Sequence, residues 1–102
     1  MAKYIIKREY NTKVIVKGVE VESVTSSSEE IVTGNMETVA DSMVKANDYI
    51  KSLHVKGVSF GEQTYNRDDV LMLGFSFAYT FHRFETKAIL FSLTQVSERI
   101  SD

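Results

Sequence analysis

Apolar and polar positions alternate with two different periods along this chain, and each change of period marks an element. Between residues 36 and 53, apolar side chains recur at steps of three and four: Met36, Val39, Met43, Ala46, Ile50 and Leu53, with Ala40 and Val44 widening the stripe. Glu37, Asp41, Lys45, Asp48 and Lys51 fill the rest of the wheel. This spacing predicts an amphipathic helix with one face to bury. Asn35 is a fitting N-cap, and Gly57 lies where the chain must turn away. From Leu71 to Phe81 the period is two. Leu71, Leu73, Phe75, Phe77, Tyr79 and Phe81 share one face, and Met72, Gly74, Ser76, Ala78 and Thr80 share the other. Such alternation predicts a strand, and the small second face predicts an inner one.

Residues 3–10 and 13–24, rich in Tyr, Ile and Val, predict a β-hairpin turning at Asn11-Thr12. Tyr4, Ile6 and Tyr10 fall on one face. The valines change phase near Gly18, which predicts a bulge that keeps Val14, Val16, Val19 and Val21 on the buried side. The polar stretch 25–34 predicts a loop, with Ser27 and Glu30 at capping-box spacing for a short helical turn. Residues 54–60 predict a short strand and Gly61 to Asp69 a polar loop. Residues 87–100 fit either period: Ile89, Phe91 and Leu93 alternate as a strand, and Ile89, Leu93, Val96 and Ile100 fit a helical face. The strand is preferred for 87–96, paired to the previous one through a turn near Phe84-Glu85.

The expected architecture is α+β, a single domain over 1–102. An antiparallel β-sheet of four to five strands carries one long amphipathic helix, about 36–53, on one face. Composition agrees with a globular chain, at 43% hydrophobic and 25% charged residues over 102 positions. The net charge of −2 favours neither a polyanion nor a polycation as partner. Cysteine is absent, which excludes disulfides, thiolate metal sites and a cysteine nucleophile. The N-terminal residues lack the apolar run of a secretory signal, and no stretch reaches the roughly 20 apolar residues of a spanning helix. The expectation is a cytoplasmic protein that does not enter a membrane.

Candidate chemistry is sparse. His54 and His82 are far apart and lack partners at ligand spacing, so each is better read as a helix-end or strand-end residue. The serines at 26–28 sit in no nucleophile elbow. Glu29-Glu30 and Asp68-Asp69 are adjacent acids in polar stretches, where side chains point apart into water. The five glycines are scattered and form no phosphate loop. No catalytic residue, cofactor site or metal site is therefore expected.

Function follows by elimination. The leading expectation is a small non-enzymatic protein-binding module that acts by occlusion or assembly. Its candidate anchors are Tyr65, Asn66 and Arg67 in the 61–69 loop and Arg83 with Phe84 at the later turn, because aromatic and arginine side chains dominate interface energetics. The length, the charge balance and the lack of Cys, Pro and Trp resemble small accessory proteins of bacteriophages. That resemblance implies an inhibitor of a host defence system or host enzyme. A second expectation is a homo-oligomeric structural protein, such as a homodimer, joined through sheet edges or the helix. In the helix, Met36, Met43 and Ile50, with Val39, Ala46 and Leu53, fall in heptad register. A third is a single-stranded nucleic-acid binder using Lys7, Arg8, Tyr10, Lys13 and Lys17 of the first hairpin. Nucleic acid ranks below protein as a partner, because no RNA-binding signature surrounds these residues.

Overall fold

The computed structural model describes residues 2–53, 58–67, 70–81 and 86–101, with 58–67 described as backbone only. The chain is α+β: an antiparallel sheet plus one helix. In order, the elements are β1 (Ala2–Val16), β2 (Val19–Gly34), α1 (Met36–Leu53), β3 (Val58–Arg67), β4 (Val70–Phe81) and β5 (Lys87–Ser101). Side chains are described on β1, β2, β4 and β5, which lie in the order β2-β1-β5-β4; the β3 backbone pairs with β4 on the far side. The C-terminal segment is a strand, because it pairs with both β1 and β4 over most of its length. A strand flanked on both sides satisfies its backbone twice over, which outweighs the helical spacing of its apolar residues.

The first hairpin differs from its expected form. It turns at Lys17-Gly18, with φ of 52° and 80°, and Val16 faces Val19 across a two-residue loop. Two successive positive φ values match the right-handed twist of a hairpin, and glycine at the second position carries one of them without cost. Asn11 and Thr12 are mid-strand, opposite Thr25 and Val24. The valine phase shift is thus a chain reversal rather than a bulge at Gly18. The register shift lies instead between Val14 and Ile15, which face Glu22 and Glu20, so that Val21 is the extra residue. Val19 and Val21 are exposed. Residues 25–34, expected as a loop with a helical turn, continue β2 to its end. Exposure on both faces of β2 removes the alternation that would have marked it as a strand. Likewise, the expected loop from Gly61 to Asp69 is strand as far as Arg67.

Helix α1 spans the predicted residues. Asn35 caps it: its Oδ1 accepts from Thr38 N at 3.0 Å and from Thr38 Oγ1 at 3.1 Å. Val39 and Met43 share a buried cluster with Tyr4 and Ile6 of β1 and Leu71 of β4. A second cluster joins Phe75, Phe77 and Leu93, with Tyr10, Ile50, Tyr79 and Phe91 against it. Val44 and Leu53, assigned to the stripe, are exposed, and Asn47 is buried in their stead. Of the heptad positions, Val39 and Met43 are enclosed within the chain, Met36, Ala46 and Ile50 are half-buried, and Leu53 is exposed.

Candidate functional site

Four features of the described residues have the makings of a site. The first is polar and buried. Arg8, Gln95 and Asn47 all stand among apolar neighbours, and Gln95 has no exposed surface. Arg8 Nε donates to Gln95 Oε1 at 2.8 Å. Gln95 Nε2 donates to Met43 O at 2.9 Å and to Asn47 Oδ1 at 2.6 Å. Arg8 Nη1 reaches Glu30 Oε2 at 3.5 Å, and Ser42 Oγ donates to Glu30 Oε1 at 2.5 Å. The Ser42 hydroxyl above all, with the Arg8 charge adding to it, holds the Glu30 carboxyl below the usual glutamate range, while burial opposes them. Among the described residues no buried side-chain polar atom lacks a partner. The buried groups of this network are paired with one another. The network ties α1 to three strands.

The second feature is the aromatic ladder. Phe77 faces Phe91 across β4 and β5, with ring centroids 5.1 Å apart, and Tyr79 meets Phe77 edge-on at 5.5 Å. Phe75 lies 5.8 Å from Phe77, and Lys51 Nζ sits 5.1 Å above the Phe75 ring. Further along this face, Val14, Ile89 and Tyr79 are half-buried, while Val24 and Phe81 are exposed.

The third is the opposite face of the sheet. It carries a groove of about 410 Å³ whose walls include Lys7, Glu9, Ser27, Glu29 and Thr94. A smaller hollow of about 180 Å³ lies by Asn11, Lys13, Leu90 and Ser92. Both are open, and the larger mixes the two signs of charge.

The fourth is the outer edge of β2. Every residue from Val19 to Ile31 is exposed, and among the described residues β1 is the only strand that pairs with β2. Lysine and proline are absent from it, and its guards against pairing are four glutamates and the bulge at Val21.

The five basic-hairpin candidates do not form one patch. Arg8 and Tyr10 point to the helix side, where Arg8 is enclosed. Lys7 and Lys13 belong to the opposite side, Lys7 directly across from Glu29, and Lys17 is in the turn. The backbones of Tyr65, Asn66 and Arg67 lie in β3 opposite Met72, Leu71 and Val70; Arg83, Phe84, His54 and His82 lie outside the described residues. Sequence reasoning missed Asn47 and Gln95 because each interrupts an apolar pattern with a residue type normally assigned to solvent. Among the described residues no three His, Asp or Glu side chains are grouped to hold a metal ion, and no helix is long and apolar enough to cross a membrane. No protein-family model, curated protein or solved structure matches the chain.

Proposed function

We propose that this chain is a small non-enzymatic protein-binding module whose partner covers the part of the sheet that α1 leaves open. One observation carries the reading: the fold is too long for its mass. The molecule measures 55 × 21 × 21 Å, with a radius of gyration of 15.9 Å, where a compact chain of this length has about 13 Å. It exposes 6781 Å², roughly 900 Å² more than a compact monomer of 11.6 kDa.

The excess has a structural origin. An 18-residue helix is about 27 Å long, and a 15-residue strand is about 50 Å long. The helix begins beside Tyr4 and ends beside Tyr10, because Met36 packs on the first cluster and Ile50 on the second. The strands run on past it, carrying Val14, Val24, Ile89, Tyr79 and Phe81. Apolar side chains gathered beyond the end of the helix support a contact site there. The nucleic-acid reading has less support, since Arg8 is neutralised internally and acidic residues stand among the lysines on the other side.

A photo-reactive residue in place of Phe81, in the cells that make the protein, tests the reading. The expected result is a cross-link to protein that is lost on moving the probe to exposed Glu37 of the helix. Cross-links to nucleic acid alone, or none from either position, would overturn it.

A further inference from the structure

We infer that the outer edge of β2 pairs antiparallel with the same edge of a second copy, about a two-fold axis at Ser28. This rests on the protein-binding reading and adds to its open face a second contact, at the sheet edge, whose occupant is a copy of this chain.

The argument begins with the length of usable edge. Pairing with β1 is regular from Gly34 back to Glu22, and the bulge at Val21 interrupts it there. A bulge bends and twists its strand, so the flat edge runs from 22 to 34 and its midpoint is residue 28. Antiparallel pairing about a two-fold at that midpoint sets each residue against the one whose number completes 56. On one face Val24 meets Val32, Ser26 meets Glu30, Glu22 meets Gly34 and Ser28 meets itself. On the other, Thr25 meets Ile31, Ser27 meets Glu29 and Ser23 meets Thr33.

No carboxylate then faces a carboxylate directly, and two glutamates face serine hydroxyls able to donate to them. Neighbouring registers are worse. An axis at Ser27 sets Val24 against Glu30, one at Ser26 sets Glu22 against Glu30, and one at Glu29 sets that residue against its own copy. Like charges directly opposite one another destabilise a strand pair, whereas matched valines favour it.

Two further observations point to a copy of this chain. β2 holds four glutamates and no basic residue, but Lys7 stands across from Glu29, and Arg8 pairs with Glu30. The Glu30 charge is therefore countered within the chain, and Glu29 has a lysine opposite it, before the edge meets its copy. The pairing also gives a role to Ser26, Ser27 and Ser28, a serine run in the middle of a strand where β-branched residues are usual.

The chain has no cysteine, so single-cysteine variants report the register without background. Directly opposite residues in an antiparallel pair lie about 5 Å apart at Cα, within disulfide reach. Ser28→Cys is expected to form a disulfide-linked dimer under mild oxidation. Ser27→Cys should link far more slowly, and Ser26→Cys not at all. In the reduced state, Ser28→Glu should shift the mass from dimer to monomer while the fold persists, because the new carboxylate faces Arg8 within its own chain and its own copy across the axis. Equal linking at all three positions, or none, would overturn the pairing, as would a Ser28→Glu protein that is still a dimer. A chain that fails here yet cross-links to another protein through position 81 retains the broader reading and loses this one.

Discussion

Gln95 has no exposed surface, yet its amide is fully used: the oxygen accepts from Arg8, and the nitrogen donates to Met43 and Asn47. Buried polar groups are tolerated only when paired, and removing one member leaves the others stranded. Gln95→Ala is therefore expected to cost about 3 kcal/mol, by loss of these bonds and desolvation of Arg8 and Asn47 without partners. Chemical denaturation measures it, and a loss under about 1 kcal/mol would mean that the network is loose. Glu30 gives the network a pH dependence. Its folded pKa lies below its unfolded value, so it stabilises the fold above the unfolded value and loses that contribution as pH falls through the folded one. Melting temperature should drop through the acidic carboxylate range, and Glu30→Gln should be less stable at neutral pH with a shallower acid limb. Equal slopes in the two proteins would remove Glu30 from the account. None of this was legible in the sequence. Arg8 reads as a surface cation among lysines, and Asn47 as a polar break in a stripe, because partners 48 and 87 residues away leave no local trace.

At the scale of elements, legibility followed burial. Helix α1 and strand β4 each bury one face of a regular pattern, and both lie where the pattern predicts. Residues 25–34 of strand β2 read as a loop, since the strand is exposed on both faces for most of its length and its pairing with β1 is what makes it a strand. Strand β5 carries both periods, and two-sided pairing decides between them. Asn11-Thr12 looks like turn chemistry, but Lys17-Gly18 has the backbone that a two-residue loop requires. That backbone makes a prediction. Lys17 holds a φ of 52° that asparagine accepts more readily, and Gly18 holds one of 80°. Lys17→Asn should therefore raise stability by about 0.5 kcal/mol, and Gly18→Ala should lower it by about 1 kcal/mol even though the added methyl meets open space. Thermal unfolding of the two variants checks both signs. The opposite order would place the turn elsewhere.

The whole molecule is long, thin and only partly roofed by its helix, and this proportion was not legible at all. Composition and length fit a compact domain, and nothing in a linear pattern states that two hairpins run some 20 Å past the helix that covers their beginnings. Nor does it state which surface the fold leaves open: a strand edge of serine, valine and glutamate with an aromatic ladder on the neighbouring face. The side chains of Tyr65, Asn66, Arg67, Arg83 and Phe84 lie outside the described residues. On the proposed edge pairing the chain associates with its own copy, and the most direct test of that pairing is the mass of the free protein. Sedimentation equilibrium of the untagged chain at micromolar concentration, followed at 260 and 280 nm, should give twice 11.6 kDa with the spectrum of a protein that has five tyrosines and no tryptophan. A monomer across that range, or a species whose nucleic-acid absorbance is removed only by high salt, would contradict it.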